Sequence, residues 1–149
     1  MRNPRSFWST ERALALALVL ACGAVLVIGW WLEPDASGVG THQQLGLGRC
    51  SVLGSTGWPC PMCGMTTTFA LALDGHLIAA LRNQPFGVFL LTCTAGGFIV
   101  ALLELLKPTS RLSLCWAWVE RHDSFIAVVL LMGLVFGWLY KCWALGVFS

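Results

Sequence analysis

The stretch ALALALVLACGAVLVIGWW, residues 13–31, decides the fold class, because it runs 19 residues without a charge between Arg12 and Glu33. As an α-helix rising about 1.5 Å per residue it covers about 28 Å, the thickness of a bilayer's hydrocarbon core. Two further stretches follow the same rule. Residues 86–103 open behind Pro85, a favoured first-turn residue, and close at Glu104, Lys107 and Pro108. Residues 125–140 end at Lys141, whose stem is expected to snorkel to the headgroups while residues 142–148 continue along the interface.

Composition excludes the alternatives. Of 149 residues, 57% are hydrophobic and 11% charged, and the 16 glycines raise the apolar share well above that of a soluble domain. The net charge of +2, from 9 basic and 7 acidic residues, is too small and scattered for a nucleic-acid surface. The expectation is an all-α integral membrane protein, a single membrane domain over residues 1–149.

Residues 64–82 are apolar but interrupted by Asp74-Gly75-His76. The legs 65–73 and 75–82 rise about 14 and 12 Å, each about half a bilayer, which suits a re-entrant helical hairpin better than a span with ionisable groups at mid-depth. With the N-terminus inside, a hairpin puts Arg2, Arg5, Arg12, Lys107, Arg111 and Arg121 inside and Arg49, Arg82 and Lys141 outside. A full span would nearly equalise the two sides, so the positive-inside tendency selects three spans plus a hairpin entered from the outer face. An outer loop, 33–63, then precedes the hairpin. The inner loop, 107–123, carries Leu112, Cys115, Trp116 and Val119 at helical spacing and reads as an interfacial helix. Trp8, Trp30, Trp31, Trp116, Trp118, Trp138 and Trp143 fall at the expected interfaces. Gly133 with Gly137, Thr92 with Gly96, and Cys93 with Gly97 give small faces that serve intramolecular packing or a homo-oligomer seam.

Seven cysteines are present. Cys22, Cys93, Cys115 and Cys142 stand alone in or near apolar segments, where a thiol behaves as a small hydrophobe. Cys50, Cys60 and Cys63 form C-x9-C-P-M-C-G directly before an apolar helix. A metal knuckle would use Gly64 for a positive φ and direct the sulfurs to one ion, zinc being the natural guest, with His42, His76 or water as a fourth ligand. A redox centre would place Cys60 at the start of a helix beginning at Pro61. A structural disulfide would pair Cys50 with Cys60 or Cys63 in an oxidising compartment and leave one thiol over. Pro59 and Pro61 restrict the residues before them from helical geometry, so the helix is expected to start at or just before Gly64, leaving the cysteines in the preceding turn.

Cys50, Gly57-Trp58-Pro59, Cys60-Pro61-Met62-Cys63-Gly64-Met65-Thr66, Asp74-Gly75-His76, Ala79-Ala80 and Asn83-Gln84-Pro85 resemble a domain-of-unknown-function family of small bacterial membrane proteins. That family carries a C-P-x-C-G-x-T-R segment, a later Gly/Asp turn and an N-P pair. The resemblance covers about 50–106; Thr67 stands where arginine is common, and Gln84 separates Asn83 from Pro85. It implies a multi-spanning protein of the bacterial cytoplasmic membrane and supplies no established activity.

Among the polar residues around the motif, Thr66, Thr67 and Thr68 read mainly as helix-start residues bonding back to nearby carbonyls. Asp74 reads as the cap of the returning helix, His76 as a hairpin-holding or functional histidine, and Asn83 as the end of that helix. No hydrolase, phosphate-loop or metalloprotease motif is present. The sequence therefore points to an accessory or assembly protein rather than an enzyme, in contact with lipids and with other membrane subunits or copies of itself. A thiol–disulfide oxidoreductase is the alternative. Single cysteines introduced at Ser55 and Asn83 are expected to react with an impermeant reagent from the same side of intact cells; labelling from opposite sides would exclude the hairpin.

Overall fold

The computed structural model describes residues 4–107 and 109–147, with side chains from Thr10 onward. Arg2, the side chains of Arg5 and Trp8, Pro108 and Phe148 lie outside the described residues. Among those described there are helices and turns and no strand. The helices are α1 (Pro4–Trp31), α2 (Ser51–Thr56), α3 (Met65–Leu73), α4 (Leu77–Asn83), α5 (Pro85–Leu106), α6 (Arg111–Arg121) and α7 (Asp123–Ala144), with a 3₁₀ turn at Thr41–Leu45.

Among the described residues, three helices are long and apolar enough to cross a membrane: α1 over Thr10–Trp31, α5 and α7. They contain the three expected stretches. Little of each is buried by the chain itself, as befits helices solvated by lipid. α1 and α5 make the most extensive helix pair. Small residues let them close up: a Cβ at Gly23 would lie 3.2 Å from the Phe98 ring, and one at Gly97 would meet the Cys22 sulfur. On α7 the Gly133/Gly137 face is taken by Phe86, whose ring would sit 2.6 Å from a Cβ at Gly133. That small face thus works within the chain, while Gly96 opens onto space.

α3 and α4 fold back on each other, so that Asn83 Nδ2 donates to the Gly64 carbonyl at 3.1 Å. Both ends of the pair therefore lie together at the end of the bundle where α1 and α7 finish and α5 begins. Leu73 and Phe69 of α3 cover Gly29 of α1, and Thr68 and Met65 cover Gly87 of α5. The buried residues concentrate here, in 59–70 and 80–91, so the molecule's core is a compact knot at one end of long lipid-type helices.

Several expectations are corrected by local chemistry. Asp74 ends α3 and makes no cap bond to α4, whose N-cap is His76; the two side chains are exposed and paired at 3.3 Å. Asn83 is the last residue of α4, as expected. Thr67 and Thr68 do not bond back along their helix: Thr67 Oγ1 meets Thr41 Oγ1 at 2.9 Å, and Thr68 Oγ1 accepts from Asn83 Nδ2 at 2.9 Å. Lys141 does not snorkel outward. It is 3% exposed and turned into the knot, because the Gly38 carbonyl of the loop after α1 and Asn83 Oδ1 accept from it there.

At the opposite end, Glu104 is buried and its carboxylate accepts from the backbone N–H groups of Thr109, Ser110 and Arg111, each at 2.9 Å. A negative acceptor facing the amides that lead into α6 fixes the turn, where Ser110 takes a left-handed φ of 58°. Leu114, Trp116, Trp118 and Val119 of α6 are exposed. Glu104→Ala leaves the three amides of the turn into α6 without their charged acceptor and should lower stability by about 2 kcal/mol or more, with Glu104→Gln milder. Thermal unfolding in detergent checks this, and an unchanged midpoint for the alanine variant would remove Glu104 from that role.

Candidate metal or thiol centre

The C-P-M-C-G segment is a tight turn followed by a left-handed residue. Cys63 N–H donates to the Cys60 carbonyl at 2.9 Å, with Pro61 at the second turn position presetting φ. Gly64 follows at φ 84° and serves as N-cap of α3, so the helix begins after the cysteines, as the prolines dictate. A side chain at Gly64 is doubly excluded, by the positive φ and because a Cβ would lie 2.7 Å from the Gly38 carbonyl.

The turn aims its sulfurs at a third. Cys60 and Cys63 Sγ are 3.2 Å apart, Cys63 and Cys50 Sγ 3.5 Å, and all three lie within 4.8 Å of one another. The Cys60 amide also donates to Cys63 Sγ at 3.2 Å. The three sulfurs thus form a hydrogen-bonded chain running from Cys60 through Cys63 to Cys50. Cys50 is the N-cap of α2, and the Leu53 amide foremost, aided by Cys63, Cys60 and the Val52 amide, brings its thiol down to about 7 against the opposing effect of burial. Cys63 is buried, and loss of solvent foremost pushes it up to about 12.

The surroundings are tied down by donors aimed at loop carbonyls. Trp138 Nε1 donates to the Pro59 carbonyl at 2.7 Å, and the fully buried Gln84 donates through Nε2 to the Pro61 carbonyl at 3.3 Å. Lys141 Nζ donates to Asn83 Oδ1 at 2.7 Å and to the Gly38 carbonyl at 3.0 Å. Tyr140 OH donates to the Arg82 carbonyl at 2.7 Å. The cluster opens onto a cavity of about 780 Å³, which Asp35, His42, Arg49, Thr66 and Thr67 also line.

Residues 50–98 match the family model of a protein of unknown function (DUF2752). The match takes in all three clustered cysteines, α2, both helices of the folded-back pair and α5 as far as Phe98. No curated protein and no solved structure matches the chain.

Of the site residues read from sequence, Cys50, Cys60 and Cys63 come together, with Gly64 and Thr66 beside them. Asn83 backs the knot. His42 lines the cavity but spends Nε2 on the Gly48 carbonyl at 3.2 Å, and His76 and Asp74 line or flank a different part of the surface. Neither histidine falls within the cluster of ligand atoms. Thr41, Gln84, Trp138 and Lys141 are the contributors that sequence reading missed. Their signal was polarity out of place: an amide between Asn83 and a helix-starting proline, and an ammonium in the last turn of an apolar helix.

The ionisation order has a direct readout. In reduced protein, alkylation of Cys50 should be half-maximal near its lowered value of about 7, since the thiolate predominates above it and is lost as pH falls through it. Cys63 should stay unreactive through pH values where an ordinary thiol reacts, its value being raised to about 12. Mass-spectrometric mapping across pH checks both, and equal reactivity of the two would contradict the arrangement.

Proposed function

We propose that the chain is a multi-pass membrane protein that holds a metal ion, zinc in the first instance, in a three-cysteine knuckle made by Cys50, Cys60 and Cys63. The observation that carries this reading is the convergence of three sulfurs around a turn whose geometry is set by Pro61 and Gly64. Zinc–sulfur bonds of about 2.3 Å in a tetrahedral site put sulfurs about 3.8 Å apart, close to the 3.2 and 3.5 Å separations here. Three protein sulfurs leave one position, facing the cavity, for His42 after a side-chain turn, for water or for an incoming ligand. Soft thiolates select zinc and similar ions over calcium or magnesium.

The placement that goes with this reading is the bacterial cytoplasmic membrane, N-terminus inside, with the knuckle at the outer face. α3–α4 is read as a re-entrant hairpin, supported by the exposed apolar face of Leu77, Ile78 and Leu81 on α4, which asks for lipid. The role is accessory or assembly work beside other membrane subunits or further copies of the chain, in contact with lipid.

A second reading has its own observation: a Cys50 thiol with a lowered pKa, 3.5 Å from Cys63, is placed to attack or resolve a disulfide formed by the C-x-x-C pair. One comparison separates the two. Protein purified in detergent under mild reduction should carry about one zinc per chain, falling to background in Cys60→Ser and Cys63→Ser and kept in Cys93→Ser. Metal-free protein with a cycling disulfide, abolished in the same two variants, would make this a thiol–disulfide oxidoreductase instead.

A further inference from the structure

The end of α7, the loop after α1 and one side of α4 enclose a second cavity, of about 990 Å³, in which no clustered cysteine takes part. Two cations line it. Lys141 is 3% exposed, and two of its three ammonium protons go to neutral acceptors, the Gly38 carbonyl and Asn83 Oδ1. Among the described residues the third proton has no acceptor and the charge has no carboxylate partner. Arg82 is exposed, and its guanidinium has neither ion pair nor hydrogen bond among the described residues; only its carbonyl is engaged, by Tyr140. The other ionisable groups in the lining are already occupied: Asp35 accepts from the Ser37 amide and hydroxyl, and His76 pairs with Asp74 at 3.3 Å. A buried ammonium and an unpartnered guanidinium sharing one cavity call for an anion from outside the chain.

The remaining wall says which anion. Leu71, Leu77, Ile78 and Leu145 line the same cavity, and Leu77 and Ile78 are 52% and 68% exposed. The rim is formed by residues 34–38, just past the end of α1 at Trp31, and by Ala144 and Leu145, where α7 finishes. In a membrane that places the cations at headgroup depth and leaves the leucines and isoleucine for acyl chains. A soluble phosphate would satisfy the cations and leave the apolar wall in water. The phosphodiester of a lipid satisfies both, since its oxygens accept from an ammonium and from the guanidinium fork while its chains cover the wall.

We propose that Lys141 and Arg82 bind the phosphodiester of one anionic phospholipid in this cavity, with its acyl chains against Leu77 and Ile78. Lys141 comes from α7 and Arg82 from α4, so the bound phosphate bridges the folded-back pair to the last long helix. This inference uses the membrane placement and goes beyond the metal reading, on which it does not depend.

The test titrates full-length protein in detergent with phosphatidylglycerol or phosphatidylcholine and counts retained lipids by native mass spectrometry. The parent should retain one phosphatidylglycerol, half-saturating at a concentration about fivefold or more below that of phosphatidylcholine. Arg82→Gln should weaken phosphatidylglycerol binding by about fivefold or more and leave phosphatidylcholine unchanged, with Arg82→Lys losing less because it keeps the charge. Arg121→Gln removes an exposed cation at the end of α6, outside the cavity lining, and should stay within about twofold of the parent. Lys141→Met should weaken phosphatidylglycerol binding more than Asn83→Ala, which cuts the same hydrogen bond but leaves the ammonium; equal losses would make Lys141 architectural and overturn the two-cation site. Equal retention of the two lipids by the parent, or equal losses in Arg82→Gln and Arg121→Gln, would reduce the binding to general attraction and overturn the inference. If inorganic phosphate displaces the retained lipid as readily as added phosphatidylglycerol does, the cavity takes a soluble phosphate and the lipid assignment is wrong. Protein that binds no metal yet keeps the preference for phosphatidylglycerol supports this inference while the metal reading falls.

Discussion

Everything at the cysteine end hangs from an ammonium buried against carbonyls. Lys141 reaches from the last turn of α7 to the loop after α1 through Gly38 and to the end of α4 through Asn83, so one side chain joins three parts of the chain far apart in sequence. Asn83 passes the constraint on, donating to the Gly64 carbonyl and to Thr68. Gly64 in turn must be a glycine, because its left-handed φ and the nearness of the Gly38 carbonyl leave no volume for a Cβ. The knuckle is thus clamped from behind by residues that are not themselves ligands.

That arrangement explains why so small a membrane protein has a core at all. Its long helices turn most of their surface outward, and lipid offers no hydrophobic gain from packing them together. Close approach at glycines and directed hydrogen bonds must do the work. At the cysteine end the loop carbonyls of Gly38, Pro59 and Pro61 each receive a side-chain donor, from Lys141, Trp138 and Gln84. At the other end the amides before α6 receive one carboxylate, Glu104. Both solutions satisfy backbone groups that water could reach only with difficulty near a bilayer.

The same geometry bears on chemistry. Because α3 starts after Gly64, Cys60 does not sit at a helix N-terminus, and the device that lowers a thiol in helix-based redox centres is moved to Cys50 at the head of α2. Cys63 is driven the other way by burial. A centre with one thiol held low and one held high is asymmetric, and it presents its open side to a cavity lined by Asp35, His42 and Arg49. Asymmetry of that kind suits an ion held on one side and approached from the other.

The sequence by itself determined the three helices long and apolar enough to cross a membrane, since unbroken apolar runs that approach a bilayer's hydrocarbon thickness are buried most simply as helices in lipid. It also determined the knuckle's local form, because Pro61 and Gly64 constrain backbone angles through their own covalent structure. The fold-back of 65–83 was legible in the Asp74-Gly75-His76 interruption, though not the capping there: Asp74 ends α3, and α4 starts at His76 without a side-chain cap bond. What only the tertiary structure decided is which polar groups meet. Lys141 read as an outward-reaching cation, Thr67 and Thr68 as self-satisfied hydroxyls, and Gln84 as an insertion. Each found its partner 15 to 103 residues away, as the bonds to Pro61, Thr41, Asn83 and Gly38 show. Periodicity and spacing report only what a residue does to its own turn of chain; a hydrogen bond between distant segments depends on how helices are brought together, and that is fixed by packing at Gly29, Gly87 and Gly137 rather than by any local pattern.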